Sequence, residues 1–553
     1  MQPESTSPKS QLRREMGFWD VLLFNIAAVL GPRWIAAAAH NGTSSISLWI
    51  LAAVLFFLPT ALIIIELSTR YPAEGGLYVW SKEAFGDFHG FVAGWSYWVY
   101  TFFYFPGLLT ASMAMSVFVG GPKYAWLATN SRYLLWSSLG LLAIAVVLNL
   151  IGLNIGKWLQ NAGGVATYVP LLMLAGIATY FWLQRGSATH FSWRSSLPTW
   201  NWGTLNFWPS IAFAFAGMEL VCSMSEEVHE PRRTFPRAIY ASSLLIAVIY
   251  LLATAMLLVL LPAQTVDVRN GVFQGITVGS AALGIAWFGI LAALLVTVGN
   301  AGGVGATVAG VARVPFVVGI DRYLPSFFGK IHPRWKTPYI SILIQAGISA
   351  VILVLSQINA TVLEAYQILV DAAVVLYFIP FLYMYAAAIK LGNRSDRLTD
   401  PHAVLVPGGK PGIWLAGSLG FVITLVAIVL SMYPPGEVPN KSLFELKLIV
   451  ATAFPVSIGL ILYFRDRWTA VVKWAAAVGF LVGALWIFGW KTWVLEHGAA
   501  LRLAYITCPP VWLESPFRYL APFFNAVIYG GIVYLVAGKP SGQRNTGAQA
   551  KVR

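Results

Sequence analysis

Two membrane-length apolar runs of this chain are interrupted near their middle, and that interruption limits the available folds more than any other feature. The first reads Phe24-Asn25-Ile26-Ala27-Ala28-Val29-Leu30-Gly31-Pro32-Arg33-Trp34-Ile35, and the second Pro209-Ser210-Ile211-Ala212-Phe213-Ala214-Phe215-Ala216-Gly217-Met218-Glu219. Each combines a glycine, or Gly-Pro, with one ionisable residue. Backbone freed by a break finds no water inside a bilayer, so it persists only where protein buries it or where it lines a cavity. Pro32 lacks an amide hydrogen and clashes with the preceding turn, so the helix should open there. Counted from Gly17, Gly31 lies ~14 residues or ~21 Å into its run, somewhat past the midplane of a ~30 Å hydrocarbon core. Gly217 lies near the middle of its own run. Paired interrupted helices in corresponding halves point to the binding site of a secondary transporter.

The chain is 58% hydrophobic and only 10% charged over 553 residues, where a soluble domain carries about 25% charge. This is an all-α polytopic membrane protein. Spans are expected at roughly 17–41, 46–69, 88–118, 133–151, 157–184, 205–227, 237–261, 284–318, 338–357, 361–390, 411–432, 447–464, 469–490 and 519–537, each near the ~20 apolar residues a crossing helix needs. Segment 75–86 is too short to cross and is expected along the inner surface. With the N-terminus cytoplasmic, about 25 Lys/Arg fall on inside segments and about 10 outside, as the positive-inside rule expects. The net charge of +14 is then a topology signal and a contact for anionic lipid, not a nucleic-acid surface. An even number of spans leaves both termini in the cytoplasm, as tails 1–16 and 538–553. No cleavable signal precedes the first span.

Helices 1–5 and 6–10 read as two five-helix units, each opening with a broken helix. Five is odd, so the second unit is inverted relative to the first. The transport core is expected over 17–390, with about four additional helices over 411–537.

Opening at Gly31-Pro32 exposes amides at the start of the second half-helix, which suit a carboxylate. Carbonyls freed at the end of the first half suit an ammonium. Gly31, Pro32, Arg33, Trp34, Phe213, Phe215, Ala216 and Gly217 are therefore the candidate substrate-binding residues. A charge at the depth of Arg33 marks a functional site by default. Two readings stand for it: binding a carboxylate, or pairing with Glu219 or Glu66 to hold helices together. Glu219 is either a proton-coupling or gating group, or a carboxylate bonded permanently to its own broken helix. Phe213 either closes over substrate or packs in the core. Asp371 is a further gating candidate, with Arg33 or cavity water as partner. Tyr97, Tyr100 and Tyr104 form a stripe at helical spacing, and small residues crowd 299–310. The seven histidines and two cysteines form no metal-binding spacing and no nucleophile pair, so no cofactor and no metal is expected.

Three stretches resemble the amino acid–polyamine–organocation permeases. They are Glu66-Leu67 through Gly75-Gly76, Tyr78-Val79-Trp80 and Gly94-Trp95; Phe213 through Glu219 with Glu226-Glu227-Val228, Pro231-Arg232 and Pro236-Arg237; and Gly302-Gly303, Arg313, Asp321-Arg322-Tyr323-Leu324-Pro325 and His332-Pro333-Arg334. Val406-Pro407-Gly408-Gly409-Lys410 is similar to the glutamate/γ-aminobutyrate antiporter branch. The resemblance implies a LeuT-like 5+5 core with discontinuous helices 1 and 6, alternating access, an aromatic gate at Phe213 and proton sensing at Glu219. Gly31-Pro32-Arg33 departs from the family's Gly-Ser-Gly, which shifts carboxylate binding to Arg33 or Trp34. No lysine lies inside helix 5; Lys157 stands at its start. The expectation is an amino-acid transporter of the plasma (inner) membrane, an exchanger or proton-linked carrier. A polyamine permease is the alternative, and a membrane enzyme or channel the alternative of another class.

Overall fold

A computed structural model describes residues 12–464 apart from 199–201, 269, 322, 357–361, 395–396, 398–399 and 434–440. The expected spans at 469–490 and 519–537 lie outside the described residues. Among those described, eleven helices are long and apolar enough to cross a bilayer. They fall on eleven of the expected runs. The twelfth run, 205–227, does not form one helix.

The first run forms α1 (Phe18–Val29) and α2 (Pro32–His40), separated by Leu30 and Gly31 in extended conformation. Pro32 takes the first position of α2, where its missing N–H goes unneeded and its fixed φ suits a helix start. Gly31 is required by crowding: a Cβ there would sit 2.8 Å from the Trp34 ring. After α3 (Ser44–Ala52) a single wide turn, Ala53–Phe57, leads into α4 (Leu58–Arg70). A short α5 (Leu77–Phe85) then precedes α6 (Asp87–Ser116), α7 (Ser131–Ile151) and α8 (Leu153–Arg185).

The second unit opens, past a short turn α9 (Trp193–Ser196), with α10 (Trp202–Ala214), which stops abruptly. Gly217 has φ +124°, a conformation that only glycine adopts without strain. The chain resumes as tight 3-10 turns over Leu220–Glu227 with a kink at Met224. Next come α11 (Pro231–Leu260), α12 (Gly271–Ala282), α13 (Trp287–Ile320), α14 (Tyr339–Ser356) and α15 (Val362–Gly392), then α16 (Gly409–Ser431) and α17 (Lys441–Phe464) outside the ten-helix pattern.

α5 is not a loose surface strip. It buries Leu77, Tyr78, Trp80, Ser81 and Ala84. The Tyr78 hydroxyl and Lys82 ammonium both reach Asp321 just past α13, at 2.5 and 2.6 Å.

The small residues of α13 make the core thin enough to bring the breaks together. A Cβ on Gly302 would lie 2.5 Å from the Gly163 Cα of α8, and one on Gly303 would lie 2.8 Å from the Ala27 carbonyl of α1. Small residues let backbones approach this closely where lipid offers no hydrophobic drive for association. Gly302→Ala should therefore destabilise the fold by about 1–3 kcal/mol through overpacking. Gly347→Ala, on a helix face where a Cβ meets nothing within 4 Å, should be neutral. Thermal melting of the purified proteins in detergent checks this, and equal melting temperatures for the two variants would refute the packing argument.

Candidate functional site

The two breaks meet. At Gly217 a Cβ would stand 3.1 Å from Val29 Cγ2 and 3.4 Å from the Ala28 carbonyl oxygen. Between them lies a small cavity. Its walls include Ala28, Val29 and Trp34 from the first break, Phe213, Ala216 and Gly217 from the second, and Tyr100, Tyr104 and Tyr377 from α6 and α15.

One side chain ties the freed backbone together. Tyr250 of α11 is fully buried. Its hydroxyl accepts the Gly31 N–H at 3.0 Å and stands 2.7 Å from the Val29 carbonyl and 3.0 Å from the Ala214 carbonyl. Trp49 stacks on its ring with centroids 4.4 Å apart, and the Trp49 indole N–H is itself fixed by Thr254 at 3.0 Å.

Aromatic rings line the cavity. Phe213 meets Trp34, Tyr104 and Tyr377 edge-on at 5.8, 6.1 and 5.3 Å. The Arg33 guanidinium lies over Trp34 at 4.5 Å and Tyr104 at 5.5 Å. Below, Glu219 accepts from Tyr97 at 2.7 Å, from Tyr377 at closer range, and from the Gly217 N–H at 3.2 Å. α6, α15 and the second break are thereby joined through one carboxylate.

Four expectations need correction or narrowing. Phe215 does not face the cavity: a residue two positions along a helix end points away from its neighbour, and its ring is held by Trp49, Phe57 and Tyr250. Arg33 pairs with neither proposed carboxylate: Glu219 is bonded to tyrosines, and Glu66 is held at 2.8 Å by two nitrogens of Arg397. Gly31, Pro32 and Arg33 adjoin the cavity but do not line it. Asp371 does not line it either, and among the described residues it has no ion pair with Arg33. Lys157 holds Asp20 at 3.6 Å and the Glu15 carbonyl at 2.8 Å, away from the cavity. Among the described residues no cluster of His, Cys, Asp or Glu could hold a metal ion.

On the face where α1 begins, buried polar contacts pin the elements to one another. Arg313 clasps Glu227 with two nitrogens at 2.7 and 3.0 Å, with no exposure of the arginine. The segment before α1 adds a short pairing: Glu15 and Met16 donate to the Glu227 carbonyl, and His229 donates back to Met16. Beside them Glu74, in the loop between α4 and α5, is fully buried. One of its oxygens accepts the Glu226 N–H at 3.0 Å, and the other meets no donor. Burial first, and then the Glu227 charge, push the Glu74 carboxyl well above the usual carboxylate range, against the pull of the Glu226 amide and Arg313.

A carboxyl raised in the folded state stabilises it fully at pH below its unfolded value, and the benefit fades as pH rises through the raised one. Glu74→Gln, uncharged at every pH, should remove that alkaline loss. The check is melting temperature followed over roughly pH 5–9; parallel profiles for wild type and variant would show that Glu74 is already ionised in the fold.

Comparison with known proteins shows the family and the fold. A family described as amino acid permease matches residues 16–454. An uncharacterized transporter of Legionella pneumophila is 28% identical over 470 residues, covering 83% of this chain and 97% of that protein. The probable agmatine/putrescine antiporter AguD of Lactococcus lactis is 25% identical over 82% of this chain and 93% of its own length. The serine/threonine exchanger SteT of Bacillus subtilis is 24% identical over 76% and 93%. Among solved structures, MhsT in complex with L-phenylalanine is similar in fold, with a TM-score of 0.55 at 13% identity over 74% of this chain and 97% of that one. The helices therefore form a LeuT-like core, and the chain belongs to the amino acid permease family.

Proposed function

We propose that this permease carries an α-amino acid across the plasma (inner) membrane by alternating access, as an exchanger or proton-linked carrier, with both termini cytoplasmic. The observation that carries the reading is the meeting of two broken helices at one aromatic-walled cavity. Carbonyls at the end of α1 offer acceptors for an ammonium. The start of α2 offers amides and a positive dipole end for a carboxylate. Arg33 supplies a guanidinium at the rim that no carboxylate of the described chain neutralises. Phe213 covers the site from the α10 side, and Glu219 gates the opposite end by fastening Tyr97 and Tyr377 to the second break. Gly31 and Pro32 act by shaping the break, while Trp34, Ala216 and Gly217 form the wall around the substrate.

The relatives also include a probable agmatine/putrescine antiporter. A cationic substrate suits Glu219 and the ring faces, but the uncompensated Arg33 repels it, since an unpaired like charge discriminates strongly between partners. A zwitterion or an acidic amino acid fits both charges.

Purified protein in liposomes preloaded with unlabelled amino acid should accumulate labelled amino acid by counterflow. A channel would show no trans-stimulation, and an enzyme no uptake. Arg33→Ala should lower transport of acidic amino acids about tenfold more than that of neutral ones, the worth of one charge-assisted contact. Equal losses across a substrate panel would make Arg33 a structural residue.

A further inference from the structure

The Tyr250 hydroxyl has one hydrogen to give and two carbonyls to give it to. A phenol donates once and accepts through its lone pairs. Here the Gly31 N–H takes the accepting role at 3.0 Å, while the Val29 and Ala214 oxygens compete for the single hydrogen at 2.7 and 3.0 Å. No backbone donor of the described chain reaches either oxygen, because the breaks removed the turns that would have supplied one. A buried carbonyl without a donor is unfavourable, so whichever one the hydroxyl abandons needs another. Of the two residues, Val29 lines the cavity and Ala214 does not. The phenol ring itself is fixed, stacked on Trp49 with an interplanar angle of 7° and met edge-on by Phe215 at 5.4 Å. Only the O–H bond is free to turn.

We propose that Tyr250 is a positioning residue that passes its hydroxyl hydrogen from the Val29 carbonyl to the Ala214 carbonyl when a substrate ammonium takes the Val29 oxygen. Substrate at the α1 break then tightens the bond at the α10 break, and occupancy is communicated between the two halves of the core without any side chain moving. No covalent bond changes; one hydrogen bond is exchanged for another. This rests on the reading that an amino acid's ammonium sits at the end of α1.

The test is Tyr250→Phe, which keeps the ring stack and removes only the hydroxyl. The probes are the twenty labelled L-amino acids and putrescine, each measured for equilibrium binding in detergent and for counterflow in liposomes, per folded molecule. The variant's empty site leaves the Val29 oxygen waiting for a donor, so ammonium binding should persist, with KM within about threefold of wild type. The link to α10 is gone, so the maximal counterflow rate should fall about tenfold, the equivalent of one hydrogen bond. Counterflow at the wild-type rate, or a rise in KM matching the fall in rate, overturns the switch and leaves the substrate reading standing. A variant that cannot be recovered folded also overturns it, since the hydroxyl would then be a static clamp. If wild type itself neither binds nor exchanges any probe, the substrate reading fails, and the switch falls with it.

Discussion

Every interior feature of this protein answers one constraint: a peptide group released from a helix inside lipid must find a new partner. At Leu30–Gly31 and at Phe215–Gly217 the chain gives up turns of hydrogen bonding in the middle of the bilayer. Tyr250 accepts one released amide and offers its single hydrogen to two released carbonyls. Glu219 recovers the Gly217 amide and spends its remaining capacity on two tyrosines from other helices. Ala28, whose carbonyl stands beside the second break, lines the cavity. The proposed zwitterionic substrate would complement groups that the breaks release, which ties the fold closely to the proposed transport.

The breaks meet only because the helices around them are thin. Gly302 against Gly163, and Gly303 against the Ala27 carbonyl, bring α13 onto α8 and α1 with no side chain between. The same economy holds on the α1-starting face, where Arg313 and Arg397, both buried, each grip a single carboxylate with two nitrogens. Removing one partner of such a pair strands a charge in a dry interior.

Much of this could be read along the chain, for physical reasons. Apolar length fixed the spans, and Gly-Pro and Ala-Gly-Met-Glu marked the breaks, because bilayer thickness and helix sterics act on neighbouring residues. What escaped were contacts between residues far apart in sequence. Tyr250 sits in an unbroken apolar helix with nothing nearby to signal a polar task; its partners are 219–221 residues upstream and 36 upstream. Tyr377, the third member of the Glu219 cluster, is 158 residues from it. Phe213 and Phe215 look equivalent in sequence and diverge only because the end of α10 turns one ring toward the cavity and the other toward Trp49. Arg33 invited a carboxylate partner by its depth, yet it stacks on Trp34 and Tyr104 instead.

The sealed arginine clasps carry one more implication. Mobile ions screen charges that water can reach and have little effect on those it cannot. The Arg313–Glu227 and Arg397–Glu66 pairs are almost wholly dry, whereas Arg394–Glu83 is 40–46% exposed at 2.8 Å. The dry clasps are thus set to hold over a wide range of ionic strength, while open pairs such as Arg394–Glu83 and Arg233–Glu230 would slacken as salt rises.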